Sequence, residues 1–282
     1  MSGKRFISYH YPTHKAKMKR DLAVVMDVAG TILRMYRVAK DIEKGVILER
    51  VVTWQLIMEK RGRALVVPQI DPDELLSSQA DDTLGTLLSG REDMLEVSCS
   101  SSPFSRETAI RIVGHSQVTI RDLIDVHLRV KARCPDYYHT AGMIVDEDRQ
   151  EVVYAVGTGG APFPGIKDVL MDLDHLGADV YVASGDSMRS LSHLADLGID
   201  LSRVHPVSSP ARKRAIIEDL KRRYKRVVMV GDGLNDLYAL EAADLGVLTV
   251  QQDTRPSQKL LSAADKTINN ILELPKILTE DC

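Results

Sequence analysis

Asp27 ends the apolar run Leu22-Ala-Val-Val-Met26 and is followed at once by Val-Ala-Gly-Thr31. An acid held in a tight turn after a buried strand can act as a nucleophile toward phosphorus. It cannot do so alone, because a phosphate dianion repels it. A second acid, Asp232, follows the run Arg226–Val230 in Gly231-Asp-Gly-Leu-Asn-Asp236. Two close carboxylates without a cation force one of them to hold a proton. A hard divalent ion such as Mg²⁺ takes carboxylate, carbonyl and phosphate oxygens and keeps both acids ionised. Lys213, in Pro210-Ala-Arg-Lys-Arg214, supplies an ammonium able to neutralise phosphoryl oxygens. Ser184 offers a hydroxyl donor, and the Gly185 amide is expected at a helix N-terminus suited to anions.

These residues reach one place only if a particular kind of fold positions them. Leu22–Met26 reads as a strand buried on both faces. Asp179–Ala183, Arg226–Val230 and Leu245–Val250 read as three more strands. Helical patterns are expected over Gly165–Leu176, Ser187–Leu197, Pro210–Tyr224 and Leu234–Ala243. Strands alternating with helices predict an α/β fold with a Rossmann-like parallel sheet. Such a sheet places its site at the carboxyl ends of the strands, where Asp27, Ser184 and Asp232 all fall.

Residues 34–160 break this rhythm and predict an inserted α+β cap domain. The core is expected from residues 21–33 and 161–282. Within the cap, Arg34–Lys40 and Glu49–Glu59 read as strands, Asp71–Leu88 and Ser105–Val130 as mostly helical, and Ser98–Ser105 as a Ser-rich loop. Gly142–Asp146 and Glu151–Val156 read as a hairpin, with Thr158–Gly165 as the returning hinge. Residues 1–20 carry six Lys/Arg and no acid and read as a poorly ordered tail. Pro12 between His10 and His14 disfavours a helical metal pair there.

At 282 residues, with 44% hydrophobic and 27% charged residues, the chain has the composition of an ordinary globular protein. A net charge of -3 gives no reason to expect nucleic acid as a partner. No run reaches the roughly 18 apolar residues of a membrane span. Three cysteines, Cys99, Cys134 and Cys282, form no CxxC pair and suit a reducing, cytoplasmic setting.

Val24-Val-Met-Asp27-Val-Ala-Gly-Thr31, Val182-Ala-Ser184-Gly-Asp, Lys213 and Val230-Gly-Asp232-Gly-Leu-Asn-Asp236 together resemble the four motifs of the haloacid dehalogenase superfamily. Residues 183–190 and 229–246 are especially similar to the phosphorylation domain of P-type ATPases. The resemblance covers the core and leaves the cap out. It implies an aspartyl-phosphate on Asp27. It implies Mg²⁺ held by Asp27, the Ala29 carbonyl and Asp232, with Asp236 in support. It also places Asn235 beside Ser184 and Gly185 among the substrate-binding positions. The expected substrate is a small phosphorylated metabolite.

One position departs from that pattern. Most phosphatases of the superfamily carry an acid/base Asp two residues after the nucleophile, where this chain has Ala29. General acid–base help is worth about 10²–10⁴-fold, so slow turnover is implied. Two alternatives follow. Phosphonoacetaldehyde hydrolases share the Asp-x-Ala-Gly-Thr pattern and use a cap lysine as a Schiff base, for which Lys40, Lys44 or Lys60 would serve. A catalytically weak regulatory module keeping a Mg²⁺/phosphate pocket is the other.

Overall fold

The structure, a computed structural model, describes residues 20–135, 138–186, 188–252 and 255–280. The basic tail before Arg20, with His10 and His14, lies outside them, as does Cys282. In chain order the strands are β1 (Arg20–Met26), β2 (Leu33–Asp41), β3 (Val46–Glu49), β4 (Arg63–Pro68), β5 (Leu95–Ser100) and β6 (His139–Asp146). They continue with β7 (Glu151–Pro162), β8 (Ala178–Ala183), β9 (Val204–His205), β10 (Tyr224–Gly231), β11 (Leu245–Thr249) and β12 (Lys266–Ile268).

The first sheet runs β12-β11-β10-β1-β8-β9, and every pairing in it is parallel. Its centre is β1, which explains the unbroken apolar run at Leu22–Met26. Val24 and Met26 pack on one face against Ile166, Val169 and Leu173 of the helix Ile166–His175. Ala23 and Val25 pack on the other, against Ile217 and Leu220 of the helix Pro210–Arg223. A strand with helices on both faces has no side left for polar residues. This is the expected α/β layering.

The second sheet runs β3-β2-β7-β6-β4-β5 and is antiparallel throughout. Helices Arg106–His115 and Ile120–Lys131 cover one of its faces through Ile112, Val113, Leu123, Val126 and Val130. The second helix starts on a capping box between Thr119 and Asp122. This α+β unit fits the expected cap.

Several cap elements differ from their sequence reading. Glu49–Glu59 is not a strand: residues Thr53–Met58 form a helix. Its buried pair is the adjacent Leu56 and Ile57, while Trp54 and Met58 face solvent, so the apparent alternation carried no core face. Asp71–Leu88 holds only the short helices Pro72–Leu75 and Leu84–Leu88. Ser105–Val130 is two helices broken at residues 116–119, and the start of the Ser-rich loop, Ser98–Ser100, belongs to the edge strand β5. The strand Arg63–Pro68 was not anticipated, although Ala64-Leu-Val-Val67 is a short apolar run of the right kind. The hairpin is longer than expected, and Thr158–Pro162 belongs to β7, paired with Leu33–Arg37 of β2. In the core, residues after Ser187 form a short helix, Met188–Leu191, and then a 3₁₀ turn, Ser192–Leu197.

Candidate active site

Asp27 directly follows β1, and its amide still donates to the Val230 carbonyl of β10 at 2.9 Å. The chain then reverses: the amides of Ile32 and Leu33 both donate to the Val28 carbonyl. Gly30 makes the reversal possible at φ +79°, a conformation that disfavours other residues. It also leaves room, since a Cβ there would lie 1.9 Å from Asp232 Oδ2. Asp232 follows β10, the strand beside β1. Asp236 sits on the 3₁₀ turn Leu234–Asp236, and its Oδ2 accepts the amides of Asp232 and Gly233 at 3.1 Å each. Gly231 permits this fold-back, because a Cβ would meet the Asp236 carboxyl at 2.5 Å. The result is three carboxylates whose oxygens lie within 4.8 Å of one another.

Lys213 enters from the helix Pro210–Arg223, which starts on a Ser209 cap and Pro210. Its side chain is fully buried, and Nζ donates to Asp27 Oδ1 at 2.6 Å and Asp236 Oδ1 at 2.7 Å. Burial alone would lower this ammonium, but Asp236 and Asp27 outweigh it and keep it protonated. Burial and then repulsion from Asp236 push the Asp27 carboxyl up to about 7, with Lys213 opposing. Burial, Asp27 and Asp236 likewise raise Asp232 well above the usual carboxylate range, and Arg37 and Lys213 oppose them.

One ammonium among three acids leaves the cluster two charges short of neutrality. A divalent cation fits that deficit and that donor set: all-oxygen, carboxylate-rich and closely spaced. Oxygen donors of this kind suit hard divalent ions, Mg²⁺ among them.

Ser184 directly follows β8 on the other side of β1 and lies at the same edge of the sheet. Its hydroxyl donates to Asp186 Oδ2 at 2.9 Å and accepts the Asp186 amide at 3.2 Å. Tyr138, from just before β6, donates to Asp186 Oδ1 at 3.1 Å and so ties the cap to this loop. Gly185 is exposed at the loop tip, and Asn235 is exposed on the 3₁₀ turn. Ala29 is half-buried and bridges to Leu33 within the reversal. Asp27, Asp232, Asp236 and Lys213 are thus drawn into one cluster, while Ser184, Gly185 and Asn235 stand around it without bonding to it.

The remaining lysine candidates are occupied elsewhere. Lys40 pairs with Asp122 and Asp125 at 2.7 and 2.6 Å, Lys60 with Asp146 at 3.0 Å, and Lys44 with Asp41 at 3.1 Å. A Schiff base needs a neutral amine, and the paired acids raise Lys40, against its burial, and Lys44.

Sequence reading missed the residues that brace the site. Gln251 donates to the Thr31 and Gly30 carbonyls at 2.8 and 3.3 Å and accepts the Ile271 amide at 2.9 Å. Gln252 grips Met35 of β2, accepting its amide at 2.8 Å and donating to its carbonyl at 3.0 Å. Both glutamines follow β11, so the strand-end rule applied to Leu245–Val250 could have found them. Nothing local marked Tyr138. A cavity of about 260 Å³ lies at the seam of cap and core, lined by Tyr138, Thr140, Ser190 and His193 among others. It includes none of the three clustered acids.

No helix among the described residues is long and apolar enough to cross a membrane. A soluble P-type ATPase-like phosphatase of Methanocaldococcus jannaschii is 30% identical over 257 residues, covering 91% of this chain and 92% of the relative. A chloroplastic copper-transporting ATPase of Arabidopsis thaliana is 40% identical over 80 residues, which cover 28% of this chain but only 8% of the transporter. Among solved structures, the catalytic domain of a CPx-ATPase matches 93% of this chain and 90% of its own length, at 17% identity and a TM-score of 0.41. The haloacid dehalogenase-like hydrolase family matches residues 22–244. With that match spanning most of the chain, the acidic cluster included, the chain belongs to the haloacid dehalogenase-like hydrolases.

Proposed function

We infer that this hydrolase is a Mg²⁺-dependent phosphatase that moves the phosphoryl group of a small phosphorylated molecule onto Asp27 and then to water. The observation that carries the reading is the buried Lys213 bridging Asp27 and Asp236 beside Asp232. The name of the archaeal relative, a phosphatase similar over nearly the whole chain, supports it.

Asp27 is the nucleophile. Its second oxygen is held by Lys213, so the attacking oxygen is oriented before substrate arrives. Asp27, Asp232 and the Ala29 carbonyl, with Asp236 in support, would hold Mg²⁺, which would supply charge neutralisation at the phosphoryl oxygens. Ser184 and the Gly185 amide hold those oxygens from the neighbouring strand end, and Asn235 closes the other side. Asp236 keeps Lys213 protonated and in place. Ala29 offers no proton and no base, so both the transfer and the hydrolysis of the aspartyl-phosphate run slowly, short of about 10²–10⁴-fold. The free thiols of Cys99 and Cys134 accord with a cytoplasmic setting.

The test is a screen of small phosphate esters with Mg²⁺, followed by mass spectrometry of the peptide containing Asp27. A phosphoryl adduct is expected in the native chain and none in Asp27→Asn. Phosphatase activity that persists in Asp27→Asn would refute covalent catalysis. Ala29 also favours a second reading, a Mg²⁺/phosphate-sensing module; beryllofluoride binding with no turnover of any ester would select it. The phosphonate reading loses its footing, since all three candidate lysines are ion-paired in the cap.

A further inference from the structure

Ser184 has a phosphoryl oxygen to hold, yet its hydroxyl is already engaged. A serine hydroxyl carries one hydrogen. Here Oγ donates it to Asp186 Oδ2 at 2.9 Å and accepts the Asp186 amide at 3.2 Å. The serine is 2% exposed, so open solvent offers no substitute partner. The backbone around it is fixed as well. The Val207 amide donates to the Asp186 carbonyl at 2.9 Å, and the Ser208 amide to the Ser184 carbonyl at 2.7 Å. What is left to change is the direction of the hydroxyl hydrogen. The Asp186 carboxylate competes for that hydrogen and also repels a phosphate dianion.

This carboxylate has a second partner. Tyr138 donates to its Oδ1 at 3.1 Å, across the seam between cap and core. Among the described residues no cation pairs with Asp186, and this phenol is the donor that reaches the carboxylate from outside its own loop. Tyr138 is firmly held. It is 4% exposed and packs in the core cluster with Val28, Leu33, Leu191 and Leu194. Its carbonyl accepts the Gly160 amide of β7 at 2.9 Å. Burial, and then the Asp186 charge, raise its hydroxyl above the usual range, so it keeps the hydrogen that it donates.

We propose that Tyr138 is a positioning residue for phosphoryl binding: its hydrogen bond to Asp186 lets the Ser184 hydroxyl turn from that carboxylate toward a phosphoryl oxygen. The proposal rests on the phosphatase reading, which makes Ser184 a phosphoryl donor. Without the phenol, turning the serine hydroxyl would strip a partly buried carboxylate of its side-chain donors, and such a group is costly to leave unpaired. With the phenol in place, one donor stays on Asp186 while Ser184 is away. The same bond draws off part of the negative charge that faces the incoming dianion. No covalent bond changes. One O–H turns about the Cβ–Oγ bond and exchanges a carboxylate acceptor for a phosphoryl one.

The test is calorimetric titration of inorganic phosphate into the full chain with Mg²⁺. Tyr138→Phe keeps the ring and its packing and removes only the donor. It is expected to weaken phosphate binding about tenfold, the worth of one hydrogen bond to a charged group. In an Asp186→Asn background, where there is no charge to offset, the same change should matter less than about twofold. In a Ser184→Ala background, where there is no hydroxyl to turn, it should again matter less than about twofold. Asp186→Asn alone should bind phosphate at least as tightly as the native chain. A loss of the same size in all three backgrounds would mark Tyr138 as packing only and overturn the proposal. So would native affinity in Tyr138→Phe, or weaker binding in Asp186→Asn. A native chain that binds no phosphate, or binds it equally well as Ser184→Ala, would instead defeat the phosphatase site itself and this proposal with it.

Discussion

The buried acid cluster makes a sharp prediction about stability and pH. Asp27 has its carboxyl raised from 3.8 to about 7, first by burial and then by Asp236. An acid raised on folding binds its proton more tightly in the native state. Its contribution to stability is therefore full below about pH 4 and is lost as pH climbs through about 7. At about 1.4 kcal/mol per pH unit, the interval corresponds to about 4 kcal/mol, a large part of the 5–15 kcal/mol of a typical domain. His139 and His205 act in the opposite sense, since burial lowers both imidazoles and stability rises as they lose their protons. The contribution of Asp27 is isolated by difference. Urea unfolding is followed from pH 4 to pH 8 in EDTA for the native chain and for Asp27→Asn. The native chain should lose about 4 kcal/mol relative to the variant across that range. Saturating Mg²⁺ should abolish the loss, because the ion neutralises the charge that burial penalises. A difference that stays flat with pH, or a slope that Mg²⁺ leaves intact, would refute the electrostatic account of the cluster.

Gly30→Ala should cut Mg²⁺ affinity by more than about tenfold, because the new Cβ would displace Asp232 Oδ2 from 1.9 Å away; unchanged affinity by calorimetry would show that Asp232 does not ligate. Ala29→Asp should raise ester hydrolysis by about 10²-fold by restoring an acid/base group, and unaltered rates would count against that explanation of slow turnover. Gln252→Ala removes two hydrogen bonds to Met35, worth about 1 kcal/mol each, and should speed amide exchange at Met35 by about 10- to 30-fold. Exchange at the native rate would mean that β2 is held to the core by packing alone.

The site was legible to the extent that its signals were local. Asp27 and Asp232 each announce themselves as an acid after an apolar run, with a glycine turn beside it, and the parallel-sheet rule then places them at one edge. Lys213 was harder to weigh, since it stands among Arg212, Arg214 and several other cations on one helix. Only its complete burial between two acids separates it from that solvated face. The cap was read less well. Glu49–Glu59 alternates in polarity but forms a short helix, and the strand Arg63–Pro68 passed unnoticed. Antiparallel strands take their identity from distant partners, and β4 pairs with residues some 35 and 80 positions away.

The order of strand, acid and glycine along the chain determined the α/β core and the place of its acidic cluster, because a βαβ unit is specified by patterns within one short stretch. Tertiary structure alone decided that Lys213 is enclosed by Asp27 and Asp236 and that Gln252 grips β2. Each of these depends on chain segments brought together from far apart, and side-chain burial, unlike strand propensity, exists only once the neighbouring elements have packed.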